Sequence, residues 1–402
     1  MIKQIKKVGV IGAGTMGAGI AGQVANAGIE VWLLDLPSDG ENVNSLSAKG
    51  LERLKDPDMP GLMSVEAEKL IRLGNTRDDF HQLEDCDWVA EAVVERLDIK
   101  QALYRQLNDV CKGTTIITSN TSTIPISLLT KGMPKKFCER FAITHFFNPV
   151  RFMRLLELVR GEFTRDDVIN TLDMFSETML GKGVVSCSDT PGFLANRVGV
   201  FAIQCALYKA FKYKLSPTEA DAFFGRPLGL PKTGVFGLYD LIGIDLMADV
   251  VKSLVSILPE NDAFHKYSSP IEFMTAMIAN GQTGNKNEKG FYKQAGDKKQ
   301  VIDLSNGNYG THERLKTPLL EEAEKIGISV ILNDKSPYGL YIWDVVSETL
   351  CYAASLVPEV TEDLTKIDDA MKLGYNWIKG PFELLDEIGI EYFVKRLKND
   401  DR

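Results

Sequence analysis

The sequence is short of the groups that would tie it to disulfides, metals, membranes or polyanions. Its six cysteines (Cys86, Cys111, Cys138, Cys187, Cys205 and Cys351) are scattered through 402 residues with no Cys-x-x-Cys pair. That argues against a disulfide frame or a zinc site and for reduced thiols in a cytosolic protein, so no metal is expected. Histidine is scarcer, with four in the chain, and His81, His265 and His312 lie in no motif and are given no role. No apolar run approaches the ~20 residues that span a bilayer. Positive charge is also outnumbered: 46 Lys and Arg face 55 Asp and Glu, for a net charge of −9. Nucleic acid and anionic membranes are therefore not expected partners. The first strand is entered by Val8, which leaves no space for a targeting peptide, and a cytoplasmic protein is expected. What remains is 44% hydrophobic and 25% charged, as in ordinary soluble domains, with length for two or three of them.

The N-terminus carries one specific signal, Val8-Gly9-Val10-Ile11-Gly12-Ala13-Gly14-Thr15-Met16-Gly17. Val8, Val10 and Ile11 read as a buried parallel strand, since strands covered on both faces are nearly continuous in apolar residues. Gly12, Gly14 and Gly17 fit the G-x-G-x-x-G spacing. The first permits a tight turn, the second lets backbone approach a pyrophosphate, and the third lets the next helix pack closely on the strand. That helix, 18–27, should end at Gly28, and its N-terminal N–H groups, from Thr15 and Met16 onward, should face phosphates. Val31-Trp32-Leu33-Leu34 reads as a second strand ending at Asp35. A carboxylate there would hold ribose hydroxyls and repel a 2′-phosphate, which favours NAD over NADP.

Farther along, strands and helices alternate up to about residue 186, as a doubly wound α/β sheet requires. Residues 38–72 read as helical, broken by Pro57, Pro60 and Gly61 into an inserted hairpin. Strands are predicted over 88–94, 115–118 and 141–144, with a helix over 99–110 and a last strand at 184–186. Thr164-Arg-Asp-Asp167 resembles a capping box opening a helix to Leu180. Past Asp189-Thr190-Pro191-Gly192, helical periodicity takes over. Gly234-Val-Phe-Gly-Leu-Tyr-Asp240-Leu-Ile-Gly243-Ile244 aligns with Gly380-Pro-Phe-Glu-Leu-Leu-Asp386-Glu-Ile-Gly389-Ile390, so two repeated all-α units are predicted. The domains read as 1–186 (nucleotide-binding), 187–295 (first helical unit), 296–334 (linker, with a polar loop at 296–310) and 335–402 (second helical unit).

The strand over 141–144 delivers His145-Phe-Phe-Asn148-Pro149. It is followed by Glu157, which alternates within Leu155-Leu156-Glu157-Leu158-Val159 and should point inward among apolar neighbours, where a buried acid needs a partner. A histidine and an acid placed behind a nucleotide fingerprint suggest a dehydrogenase acting on an alcohol.

At these residues the chain closely resembles the 3-hydroxyacyl-CoA dehydrogenase family of fatty-acid β-oxidation. The matching motifs are Gly12-x-Gly14-x-x-Gly17, Glu91-Ala-Val-Val-Glu95, Ser119-Asn-Thr-Ser122, His145-Phe-Phe-Asn148-Pro149, Asp189-Thr-Pro-Gly-Phe193-x-x-Asn196-Arg197 and Gly380-Pro-Phe-Glu-Leu-Leu-Asp386. The resemblance implies NAD as cofactor and oxidation of (S)-3-hydroxyacyl-CoA to 3-oxoacyl-CoA. It implies His145 as the general base and Glu157 as its acidic partner. A neutral imidazole with a pKa of ~6.5 suits removal of the hydroxyl proton. It also implies that Ser122 and Asn196 hydrogen-bond the substrate oxygen and that Asn148 lies at the nicotinamide end. Glu95 and Lys100 would meet the NAD riboses, and Lys286 would lie on the cofactor side. Two C-terminal units behind one nucleotide domain look like the dehydrogenase part of multifunctional β-oxidation proteins. That implies an enoyl-CoA hydratase module or a thiolase as partner, and a monomer whose two helical units pair internally.

One departure stands out. The serine and lysine that the family uses to hold coenzyme A align near Leu54 and Gly61. Lys49, Arg53 and Lys55 are the nearby cations, and a basic helical stretch usually faces solvent. Two other readings stay open: a dehydrogenase of a free 3-hydroxy acid or sugar acid, and a non-catalytic NAD-binding structural protein.

Overall fold

The computed structural model describes residues 4–401; the outermost limits of the expected domains, residues 1–3 and 402, lie outside the described residues. The chain divides into two compact units between Phe193 and Leu194.

The first unit is built on an eight-stranded sheet: β1 (Lys7–Ile11), β2 (Glu30–Asp35), β3 (Ile71–Asn75), β4 (Trp88–Glu91), β5 (Ile116–Ser119), β6 (Phe141–Phe146), β7 (Leu155–Arg160) and β8 (Gly183–Cys187). The strand order is β3-β2-β1-β4-β5-β6-β7-β8. Strands β1 to β6 are mutually parallel, and their order reverses between β1 and β4, where open α/β sheets bind ligands. Val8, Val10, Val31 and Leu33 are fully buried, and helix Thr15–Asn26 covers them with Ile20, Ala21 and Val24. Each such valine, leucine or isoleucine contributes roughly 1.5–3 kcal/mol on burial. Polar atoms inside the sheet are paired with one another. Trp88 Nε1 donates to Thr118 Oγ1 (2.9 Å), which also accepts from Thr144 Oγ1 (2.8 Å).

Three local expectations are corrected. The stretch 38–72 forms only the short helices Ser45–Arg53 and Val65–Glu68, and Ile71 already belongs to β3, paired with Val31. Pro57, Pro60 and Gly61 leave segments too short for a long hairpin, and the β2 edge recruits the remainder. Second, the sheet is not wound parallel throughout. β7 runs antiparallel to β6, and β8 follows β7 through helix Asp166–Thr178. Third, Thr164 caps no helix. Its hydroxyl donates to Phe141 O (2.6 Å) and accepts from Gly161 N–H (2.9 Å), while the helix starts after Arg165 without a side-chain cap.

In the second unit the long helices Ala195–Lys212 and Pro337–Ser355 run antiparallel, both buried around most of their circumference. Phe201 stacks on Tyr352 with ring centroids 4.1 Å apart. Lys209 reaches Asp344 (3.0 Å) and Glu348 (2.6 Å), and Arg197 reaches Asp262 and Glu359. Helices Gly234–Ile242 and Pro381–Ile388 are each capped by a carboxylate from a preceding helix. Asp221 accepts from Phe236 N–H (2.7 Å) and Gly237 N–H (3.0 Å), and Asp368 accepts from Phe382 N–H (2.8 Å). A Cβ on Gly234 would fall 2.3 Å from Asp221, and one on Gly380 would fall 2.2 Å from Asp368, so only glycine admits either cap.

The unit is not all-α. Strands β9 (Tyr292–Ala295), β10 (Lys298–Ile302) and β11 (Tyr309–Thr311) form an antiparallel sheet across the end of the expected first helical unit and the expected loop, and helices Pro318–Ile326 and Ser329–Asn333 continue the segment. Gly296, with φ +61°, opens the two-residue turn between β9 and β10. Residues 296–310 read as a loop because they are rich in polar residues and glycine, and half of the sheet's residues face solvent. Among the described residues no helix is long and apolar enough to cross a membrane.

Candidate active site

The glycine loop sits where the strand order reverses. Gly12 has φ +97°, and a Cβ there would lie 2.5 Å from Ala92 O. Ala92 N–H in turn donates to Ile11 O (2.8 Å), so the loops leaving β1 and β4 touch. A Cβ on Gly17 would strike Gly12 O at 1.7 Å, whereas Gly14 faces open space. Helix Thr15–Asn26 has no side-chain cap and no acid in its first turn. Its free N–H groups and positive dipole end therefore remain available to an anion, beside the exposed Thr15 and half-buried Met16. Asp35, at the end of β2, accepts from Ala13 N–H (2.6 Å), which ties the acid to the loop it serves. This glycine cradle with an acid at its edge fits a dinucleotide.

His145 lies in β6 and Glu157 lies directly opposite in β7. The antiparallel register points both side chains to the same face. Nδ1 of His145 is 2.6 Å from Oε2 of Glu157, and His145 is 6% exposed while Glu157 is 0% exposed. A carboxylate can only accept, so Nδ1 carries the hydrogen and Nε2 is the nitrogen left to take a proton. Phe147 (4.6 Å between centroids) and Phe193 (5.7 Å) flank the ring and keep its surroundings apolar. Together, one nitrogen is held, one is available, and water is largely kept away.

Ser122 is half-buried on the turn that leaves β5, and Asn148 is exposed just beyond β6. Glu95 and Lys100 come together. Lys100 Nζ lies 3.2 Å from Glu95, whose other oxygen accepts from Thr121 and Thr123. Burial pushes the Glu95 carboxyl up, but Lys100 and the two threonines outweigh it, and its pKa is lowered overall. Lys100 itself is 1% exposed and lies 2.7 Å from Glu91. Asn196 and Lys286 belong to the second unit. There Asn196 accepts from Tyr375 OH (3.1 Å) and Lys286 pairs with Asp245 (2.6 Å). Of the cations near the expected coenzyme A positions, Lys55 is paired with Glu52 and Glu68, Arg53 donates to Ala13 O (2.9 Å), and Lys49 is exposed. Leu54 is core, packed on Gly22 and Gly61.

Three further side chains of this unit were given no individual role by the sequence. Asn120 accepts from Phe146 N–H (2.9 Å) and so clamps the end of β6 to the end of β5. Lys182 donates to Val150 O and Met153 O (2.8 Å), pinning the loop after Asn148-Pro149, and burial pushes its ammonium down to about 8. Glu91 is a fully buried acid in an otherwise apolar strand. That isolation was a usable signal, because a buried carboxylate must find donors.

Residues 7–190 match the family model described as 3-hydroxyacyl-CoA dehydrogenase, NAD binding domain, and residues 192–294 match the C-terminal domain of the same family. A putative fatty acid oxidation complex trifunctional enzyme of Rickettsia prowazekii is 40% identical over 96% of this chain and 53% of its own length. A probable 3-hydroxyacyl-CoA dehydrogenase of Deinococcus radiodurans is 41% identical over 74% of this chain and 85% of its own. The crystal structure of 3-hydroxybutyryl-CoA dehydrogenase from Escherichia coli K12 superimposes with a TM-score of 0.75 at 25% identity, covering 99% of this chain and 94% of that one. The chain spans about half the length of the first curated relatives it matches. With the glycine cradle, the His145–Glu157 pair and both family domains in order, the chain belongs to the 3-hydroxyacyl-CoA dehydrogenase family.

Proposed function

We propose that this chain oxidises (S)-3-hydroxyacyl-CoA to 3-oxoacyl-CoA with NAD, and that the buried His145–Glu157 hydrogen bond is the observation that carries the assignment. NAD, when bound, supplies the acceptor for the hydride that leaves C3. His145 Nε2 takes the hydroxyl proton. Glu157 holds the ring in the tautomer with hydrogen on Nδ1 and stabilises the imidazolium that forms. Ser122 and Asn196 are assigned to the substrate oxygen, and Asn148 to the nicotinamide end. Gly12, Gly14, Thr15, Met16 and Gly17 are assigned to the pyrophosphate and Asp35 to the adenosine ribose. Glu95, Lys100 and Lys286 are given the remaining cofactor contacts.

The domain scheme remains 1–186 for NAD, then helical units near 187–295 and 335–402. The equivalent carboxylate caps, Asp221 and Asp368, support the repeat. So do Gly243 and Gly389, each with positive φ between two consecutive helices. Internal pairing of the two units accounts for a monomer. A hydratase module or thiolase is the proposed partner, in keeping with relatives named as trifunctional enzymes. The six free cysteines, five of them buried, favour the cytoplasm.

Reduction of acetoacetyl-CoA and of free acetoacetate by NADH, measured side by side, tests the substrate. The thioester is expected to have the much higher kcat/KM. Equal values would favour the free 3-hydroxy acid, which the paired state of Lys55 and the buried Leu54 speak for. No turnover of either would leave a non-catalytic NAD-binding protein.

A further inference from the structure

Glu91 ends β4 between Ile11 of β1 and Ser119 of β5, directly below the glycine loop. Its carboxylate is fully buried and has four donors. Oε1 accepts from Lys100 Nζ (2.7 Å) and Val93 N–H (2.8 Å); Oε2 accepts from Tyr104 OH (2.6 Å) and Ser119 Oγ (2.7 Å). That set uses all of its acceptor capacity. Lys100 is as deeply buried, and its ammonium is shared between Glu91 and Glu95. Glu95 is the member that reaches the surface, with a side chain 38% exposed.

A buried Lys–Glu pair does little for stability that apolar residues of similar volume could not do. Its position here suggests another use, because one end is anchored in the sheet and the other holds an acid at the mouth of the ligand crevice. We propose that Glu91 is a positioning residue of the cofactor site. It fixes Lys100, and Lys100 holds the Glu95 carboxylate in the orientation that receives ribose hydroxyls. Without the negative charge of Glu91, Lys100 has only Glu95 to neutralise it and draws that carboxylate inward, away from the cofactor. The role rests on the assignment of Glu95 to an NAD ribose.

The test uses the full chain and NADH as probe, with Kd read from NADH fluorescence, KM and kcat from acetoacetyl-CoA reduction, and Tm alongside. Glu91→Gln is expected to raise the NADH Kd on the order of ten- to a hundredfold, the worth of a charge-assisted hydrogen bond, with the loss falling on KM for NADH more than on kcat. Tyr104→Phe removes a neutral donor from Glu91 but leaves Lys100 paired, and should leave the NADH Kd within about threefold. The double variant Glu91→Gln/Lys100→Met removes the stranded ammonium. It is expected to recover Tm, which identifies the stranded ammonium as the source of any instability; where the single variant folds poorly, its NADH Kd is read well below its Tm, on folded protein. Unchanged NADH affinity in Glu91→Gln would overturn the role and leave Glu91 purely structural. Glu95→Gln separates the two levels. If it too leaves NADH binding unchanged, the ribose assignment of Glu95 fails first and the role of Glu91 falls with it. If it weakens binding while Glu91→Gln does not, only the positioning role fails.

Discussion

Replacing Glu157 by Gln should slow the chemical step severely while leaving the cofactor site intact. The side chains are nearly isosteric, and the site is fully buried opposite His145 in the sheet, so the fold should persist. What is lost is the negative charge 2.6 Å from Nδ1. On an exposed surface such a pair is worth about 0.2–1 kcal/mol, at most a factor of about five in rate. Here both groups are shielded from water, and the charge is needed most when His145 becomes an imidazolium. A factor on the order of 10²–10⁴ is therefore expected, the range for losing positioned acid–base help, equal to about 2.7–5.5 kcal/mol of barrier. Gln can also donate to Nδ1 and so select the tautomer with Nε2 already protonated, which adds to the loss. The assay is NADH oxidation by acetoacetyl-CoA, with NADH binding followed separately by fluorescence. A rate loss below about tenfold would refute the claim that burial makes this pair strong. An equal loss of NADH affinity would place Glu157 in the cofactor site instead.

Asp35→Ala should weaken NAD binding and reduce discrimination against NADP, because the carboxylate both accepts from ribose hydroxyls and repels a phosphate; an unchanged NAD/NADP ratio of kcat/KM would count against it. Burial pushes the Asp221 carboxyl up to about 7 and that of Asp368 up to about 6, against hydrogen bonds that pull both down. Both values lie above the ~3.9 of an unfolded aspartate, so in that window the folded chain holds more protons and stability falls as pH rises from about 4 to 7. The Tm of Asp221→Asn relative to wild type should accordingly improve between pH 5 and pH 8, and a constant difference would disprove the shift. Deleting residues 335–402 strands Lys209 without Asp344 and Glu348, and Arg197 without Glu359. Breaking a buried pair costs about 3–5 kcal/mol, so light scattering should find dimers, aggregates or unfolded chain; a soluble, monomeric and fully active remnant would contradict internal pairing.

Some of this protein is written locally enough to be read from the chain. The glycine loop is legible because Gly12, Gly14 and Gly17 answer to constraints a few residues apart: a positive φ, an open face, and a Cβ that would strike the preceding turn. The Glu157 side chain is legible as inward because period-two alternation sets which face a strand residue takes. Its partner is another matter. The antiparallel reversal of β7, which places Glu157 across from His145, depends on which edge β6 offers once the parallel strands are in place. The same holds for β3, whose mixed Ile71-Arg-Leu-Gly-Asn75 segment becomes a strand only because β2 presents an unpaired edge. Thr164 shows the limit most plainly, since a hydroxyl beside a helix start suits a cap until Phe141 O comes within 2.6 Å. Lys100 reads as a cofactor contact, and only tertiary packing shows it buried against Glu91. Residue type and periodicity determine what each group needs, a donor, an acceptor or dryness; which neighbour supplies it is decided only when distant strands and helices close around it.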